Sequence, residues 1–283
     1  MTHHPPALVP GLFFGGFFDD ASLLPPGGVT MAEAISAHRL LRSRLGSVVG
    51  PLVVPTARLE SLFPYVDDGE PLDLALLAAP GELPAAAARI AAHPCVRLAA
   101  VELPVAADAR AAVTAVRALA DVPDLHTASV ELPRTETRDD VLDVLAGTRY
   151  RAKLRTGGPR AELFPSPEEL AETLYACAER SVAVKCTAGL HRAVRHTNRK
   201  TGVEHHGFLN ILLAAADLAD GAAPAVVAGR LCEDYAPGLA AAIRSWSPER
   251  GARARAIFTS FGTCTVMDPT DDLMALGLLE EPG

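Results

Sequence analysis

The chain has 283 residues, 49% of them hydrophobic and 21% charged, an ordinary globular composition with enough apolar material for one large barrel or two modest domains. Its 34 acidic and 26 basic residues are evenly spread and leave a net charge of −8. That excludes a basic footprint for nucleic acid or an anionic membrane, so any anionic ligand must be held locally.

Five cysteines (Cys95, Cys177, Cys186, Cys232, Cys264) are odd in number, widely spaced and without a C-x-x-C pair, which points away from a disulfide scaffold or zinc ribbon and towards a reducing cytoplasm. The apolar patch from Leu8 to Phe18 is broken by Pro10, Gly11, Gly15 and Gly16 and runs into Asp19 and Asp20. It reads as neither a signal peptide nor a membrane span.

In chain order, the first strand is expected at 12–18, followed by the loop DDASLLPPGG. Thr30 and Glu33 form a capping box for a helix that ends near Gly46. Strands are expected at 48–54, 72–78 and 96–103, with helices at 56–63, 83–92 and about 107–120 between and after them. A fifth strand at 126–132 precedes a helix from about Thr137, where Thr137 and Asp140 repeat the capping pattern. The sixth strand is 151–155, and Ser166, Pro167 and Glu169 open a helix through Arg180. The seventh strand is 182–187. A long loop runs over about 188–206, an apolar helix over 207–219, and extra helical pieces over about 222–246. The eighth strand is expected at 256–261 and the last helix at 272–279.

Eight strands alternating with helices predict an α/β fold, a single closed parallel (β/α)8 barrel of the TIM type spanning 1–283, with a doubly wound open sheet as the competing arrangement. The strands are continuous apolar runs, as in a sheet covered on both faces. In such a barrel, function gathers at the carboxyl ends of the strands. That rule selects Asp19 and Asp20 after the first strand, Glu102 at the fourth, Glu131 at the fifth, Lys153 and Arg155 at the sixth, Lys185 and Thr187 at the seventh, and Ser260 and Cys264 at or beyond the eighth. Strand alternation puts Lys153 with Arg155, and Lys185 with Thr187, on common faces. The two VELP strings, 101–104 and 130–133, each carry a glutamate that either builds a structural ion network with the lysines or forms a functional carboxylate pair.

Lys153 begins K-L-R-T-G-G and Lys185 begins K-C-T-A-G-L-H-R. This pair of segments, about a tenth of the chain, resembles the deoxyribose-phosphate aldolase family of class I aldolases, whose sixth strand carries a Schiff-base lysine in K-x-S-T-G-F and whose seventh carries a second lysine in a K-x-x-G-G-I-R-like motif. The resemblance implies that Lys153 is the amine that attacks a carbonyl and that Lys185 is the neighbour that depresses its pKa. Position 155 is Arg where the family has Ser, and 158 is Gly where it has Phe. The family's proton-shuttling aspartate has no counterpart, so Glu102 or Glu131 would serve. Thr156, Gly157 and Gly158 would bring backbone amides to a phosphate or carboxylate, with Arg155 orienting it. The strings DDASLLPPG, HHGFLN and SFGTC also resemble a bacterial barrel family, and that resemblance carries no activity with it.

His191, His196, His205 and His206 crowd into the loop after the seventh strand, near Cys186 and Glu204. Their spacing fits one metal ion poorly, since residues five apart leave the common face of a helix and adjacent histidines point apart. His191, beside Gly189, is the better general acid or base, and the loop's Arg192, Arg195, Arg199 and Lys200 would clamp an anion or form a lid. No dinucleotide fingerprint or P-loop is present, and one Trp and four Tyr make no platform for stacking bases.

The expected function is therefore a lyase of the aldolase type. It acts on a small anionic or phosphorylated carbonyl compound through a Schiff base, with Lys153, Lys185, Glu102, Glu131 and His191 catalytic. Asp20, Arg155, Thr156, Gly157, Gly158, Thr187, Gly189, Arg192, His206 and Ser260 would bind substrate. No organic cofactor is expected. One alternative is a metal-dependent lyase or hydrolase in which Glu102, Glu131 and His191 hold a divalent ion; another is a non-catalytic metabolite-binding barrel. Neither nucleic acid nor membrane is expected as a partner, and the sequence leaves a homo-oligomer open.

Overall fold

The computed structural model describes residues 13–25, 28–66 and 71–281. Eight parallel strands close into a barrel: β1 (Phe18–Asp20), β2 (Val49–Pro55), β3 (Leu72–Leu77), β4 (Val96–Leu103), β5 (Ala128–Glu131), β6 (Arg151–Arg155), β7 (Val184–Thr187) and, after a two-stranded hairpin of β8 (His196–Thr197) and β9 (Glu204–His205), β10 (Phe258–Thr263). Pairing runs in chain order from β1 through β7, with β10 between β7 and β1, which excludes the open doubly wound sheet.

The helices among the described residues are α1 (Met31–Leu45), the four-residue α2 (Leu59–Leu62), α3 (Leu83–Ala91), α4 (Ala109–Ala120), α5 (Arg138–Leu145), α6 (Pro167–Glu179), α7 (Phe208–Ala219), α8 (Pro224–Cys232), α9 (Ala236–Arg244), α10 (Pro248–Ile257) and α11 (Met267–Ala275). Local chemistry explains several of their starts. The Thr30 hydroxyl accepts from the Glu33 amide at 3.3 Å while the Glu33 carboxylate accepts from the Thr30 amide at 2.9 Å. Ser166 caps α6 by accepting from the Glu169 amide at 3.2 Å, while the Glu169 carboxylate turns to Arg134, and Pro167 sits in the first turn where no amide donor is needed.

Thr137 does not cap α5. Its backbone turns with ψ near 2° instead of extending, and its hydroxyl donates to the Ala107 carbonyl, so the expected capping pattern there is replaced by a tie to the preceding loop.

The fifth and seventh strands begin two residues later than expected, at Ala128 and Val184, and two other starts move for identifiable local reasons. The first, expected at 12–18, begins only at Phe18, because Gly16 takes a left-handed φ of +57° and turns the chain before it can extend; Leu12 itself lies outside the described residues. The last begins at Phe258, not Ala256, because α10 runs to Ile257. That helix starts at Ser247-Pro248-Glu249, the signature already visible at Ser166, and Ser247 accepts from the Arg250 amide. The last helix spans Met267–Ala275, about five residues before its expected place.

Most apolar side chains lie between strands and helices. Phe14, Phe17, Phe18, Phe208, Phe258 and Phe261 join edge and face where β1 and β10 meet α7, with ring centroids 5.0–6.3 Å apart. Helix α7 is buried almost all round, as an apolar helix covered by α8, α9 and α10 must be. A second, small cluster of Ala21, Val53, Ala75 and Ala100 is separate from this layer. Ala100 shares its face of β4 with Glu102, so this cluster fills part of the lumen and leaves the remainder to polar groups. Among the described residues, no helix is long and apolar enough to cross a membrane.

Candidate active site

Alternation decides what enters the lumen. On β6, Ala152 and Leu154 are buried in the strand–helix layer, so Arg151, Lys153 and Arg155 face inward; on β7 the same parity sends Lys185 and Thr187 inward and Val184 and Cys186 outward. The ladder registers then align the inward groups. Glu131 pairs with Lys153, Lys153 with Lys185, and Lys185 with Ser260, while Glu102 pairs with Ser129.

The side chains form a line of alternating charge. Lys185 Nζ donates to Asp19 Oδ2 at 2.5 Å and to Glu102 Oε1. Because β10 separates β7 from β1, and β5 and β6 separate it from β4, both contacts cross the lumen. Lys153 Nζ lies 2.8 Å from Glu102 Oε2 and 3.3 Å from Glu131 Oε2. Arg155 reaches Glu131 Oε1 at 3.4 Å through both Nε and Nη2. Ser260 donates to Asp19 Oδ2 at 3.3 Å. Exposure rises along the line, from 0% at Lys185 and 4% at Lys153 to 24% at Glu131 and 38% at Arg155. The line therefore starts deep in the barrel and ends at its mouth.

Burial by itself would raise the Glu102 carboxyl, but Lys185 and Lys153 together outweigh it and hold the group down at about 2. Burial likewise favours a neutral Lys185, and the Asp19 and Glu102 carboxylates overcome it, so its pKa is raised. Both groups stay charged at neutral pH. Below them, burial lowers the Arg151 pKa against the opposing pull of Asp19 and Glu102.

A glycine makes room for this arrangement. A Cβ added at Gly50 would lie 2.1 Å from Asp19 Oδ1, inside van der Waals contact. Gly50→Ala is expected to push Asp19 off Lys185 and lower stability by about 1–3 kcal/mol. The midpoint of urea unfolding measures this, and a variant as stable as the parent would show that Asp19 moves without penalty.

Of the residues expected at the site, Glu102, Glu131, Lys153, Arg155, Lys185 and Ser260 come together, and Thr187 stands in register with Arg155 and Gly262 one step nearer the mouth. Asp20 does not join them. It faces the helix layer, where Oδ2 meets His38 Nδ1 of α1 at 3.0 Å and Oδ1 accepts from the Ser22 amide, so Asp19 is the aspartate in the lumen.

Thr156, Gly157 and Gly189 form a backbone crossing between the loops after β6 and β7. The Thr156 hydroxyl donates to the Ala188 carbonyl at 2.6 Å, and an added Cβ at Gly157 would lie 2.7 Å from Gly189 Cα. The crossing holds Ala188 at φ +60° and Gly189 at φ +79°, which accounts for two of these glycines by packing. At Gly158 the neighbour is Leu163. Arg192 is drawn outward to Asp272 of α11 at 2.9 Å, and His206 Nε2 lies 2.8 Å from the Pro165 carbonyl oxygen, so neither side chain turns into the lumen.

His191 Nδ1 lies 3.9 Å from Cys264 Sγ; burial lowers the imidazole pKa and raises the thiol pKa, which leaves a neutral pair. His196 and His205 face each other across the β8–β9 hairpin, with His205 also against Phe164. Among the described residues, no three His, Cys, Asp or Glu side chains are grouped to hold a metal ion. Glu102 gives one oxygen to each lysine, and His191 is turned to Cys264, so the expected ligand set of Glu102, Glu131 and His191 is not assembled.

Strand ends pointed to both Asp19 and Asp20, but only Asp20 entered the expected binding set, and sequence reasoning gave no place to Gly50, Arg151 and Ser129. Arg151 was within reach, since it has the parity of Lys153 and Arg155. Ser129, buried beside Glu102 in register, has a hydroxyl with no hydrogen-bond partner among the described residues. No protein-family model matches the chain, and no curated protein or solved structure is significantly similar to it.

Proposed function

We propose that this barrel is a lyase of the class I aldolase type, in which Lys153 forms a Schiff base with a small carbonyl compound that carries an anionic group. The observation that carries this reading is the position of Lys153 in the line of charges: it is held between Glu102 and Glu131, one step below the half-exposed Arg155. Lys185, wholly buried between two carboxylates, has no free side from which to reach a substrate.

The chemistry suits the surroundings. A Schiff base on Lys153 is an iminium and keeps the positive charge of the ammonium it replaces, so Glu102 keeps a cationic partner throughout. That matters because a buried carboxylate stripped of its partner is strongly destabilising. Glu102, held near 2, is too weak a base to carry protons and acts as a permanent counter-ion. Glu131, a quarter exposed and 3.3 Å from Lys153 Nζ, moves the protons. Lys185 is a positioning residue that keeps Glu102 ionised and holds Glu102 and Asp19 in place.

Reduction with borohydride in the presence of short aldehydes and ketones tests the reading. One adduct per chain is expected, mapped by peptide mass spectrometry to Lys153 and missing from Lys153→Met. An adduct found only on Lys200, the one lysine besides Lys153 and Lys185, would sink it.

A further inference from the structure

We infer that the anionic group of the substrate is also the switch that makes Lys153 reactive: by drawing Arg155 away from Glu131, it frees Glu131 to take the Lys153 proton. This inference rests on the Schiff-base reading above. It follows from the order of charges. From the floor of the lumen to its mouth they run Asp19, Lys185, Glu102, Lys153, Glu131, Arg155, negative and positive in turn. Each inner group is flanked by partners of opposite sign. The last member, Arg155, is a guanidinium 38% exposed, with the Glu131 carboxylate as its ion-pair partner. An anion is the group that continues the alternation there, and a guanidinium's fork of donors suits a carboxylate or phosphate in particular.

The contacts show which link yields. Lys185 to Asp19 is 2.5 Å and Lys153 to Glu102 is 2.8 Å, both between groups no more than 4% exposed; Arg155 to Glu131 is 3.4 Å between groups 38% and 24% exposed. Longer, wetter contacts are the ones an incoming anion displaces first. With Arg155 engaged outward, Glu131 loses the cation on its outer oxygen while Oε2 still faces Lys153 Nζ at 3.3 Å. Lys153 is the proton donor next to it.

The step balances. Lys153 gives a proton from Nζ to Glu131 Oε2, and the freed amine bonds to the carbonyl carbon as the π electrons move to oxygen. Proton exchange through Glu131 yields a neutral carbinolamine. The nitrogen lone pair then expels the hydroxyl, which takes the Glu131 proton and leaves as water, so the iminium forms and Glu131 ends as the carboxylate. The deep groups Asp19, Lys185 and Glu102 do not change charge.

The test compares borohydride trapping of glycolaldehyde with that of glycolaldehyde phosphate, followed as the rate of adduct formation at Lys153. The phosphorylated probe is expected to react about tenfold faster or more, and inorganic phosphate added separately is expected to accelerate glycolaldehyde. Arg155→Gln should abolish both differences and Arg155→Lys should keep them; melting curves establish that each variant is folded. If Lys153 traps both probes at one rate and phosphate has no effect, or if Arg155→Gln still responds to phosphate, the switch is overturned and the Schiff-base reading stands. If neither probe modifies Lys153, the Schiff-base reading falls and the switch falls with it.

Discussion

Replacing Lys185 by methionine is expected to destabilise the fold by about 3–5 kcal/mol, a drop in Tm of roughly 10 °C. Methionine keeps the stem that fills the lumen but leaves Asp19 and Glu102, each about 3% exposed, facing a site with no cation between them. An uncompensated buried charge is what makes half an ion pair worse than none. The pH dependence separates this cause from a simple loss of packing. Glu102 has a folded pKa of about 2, below its ordinary value of 4.5, so its contribution to stability is fully present above about pH 4.5 and fades as pH falls towards 2. The size of that contribution is about 3 kcal/mol. In Lys185→Met the larger of the two depressing charges is gone and only Lys153 remains beside Glu102, so the gap between variant and parent should be widest near neutral pH and should narrow as the medium is acidified below about 4.5. A gap independent of pH would mean that the lysine stem matters and its charge does not.

The largest effect on chemistry is expected at Lys153. On the proposed Schiff-base mechanism, Lys153→Met should remove the borohydride adduct and lower carbon–carbon cleavage by about 10³-fold or more, since among the described residues no other amine in the lumen has a free approach to the mouth. The same variant should disturb the fold less than Lys185→Met, because Glu102 keeps its contact with Lys185 and Glu131 keeps Arg155. Urea midpoints and initial rates with a cleaved hydroxy-carbonyl substrate give the two orderings. If Lys185→Met proved the gentler variant and still failed to form an adduct, the roles of the two lysines would be exchanged.

The alternation of apolar runs and helix starts made the barrel legible, because both are local. A continuous apolar strand and a Ser-Pro-x-Glu opening depend on neighbours within a few residues. The same local chemistry sets the last boundary: Ser247-Pro248-Glu249 opens α10, which runs to Ile257 and delays the last strand to Phe258. The inward positions of Lys153, Arg155 and Lys185 were legible for the same reason, since parity along a strand needs only the strand's own residues.

Asp19 and Asp20 mark the limit of that reasoning. Which of two adjacent acids faces the lumen depends on where the strand begins, and a one-residue slip exchanges the faces. The turn at Gly16 sets that start, so Asp19 meets Lys185 and Asp20 meets His38. Pairing was beyond the sequence altogether. Lys185 finds Asp19 across 166 residues and Glu102 across 83, by contacts that span the closed lumen and have no local pattern. By itself, then, the sequence determined eight strands alternating with helices and the strand positions of both lysines, while the strand pairing closed the barrel. The tertiary structure decided that one lysine is locked between two carboxylates while the other lies one step below the mouth, because ionisation and reach depend on what closure of the sheet brings within a few ångströms.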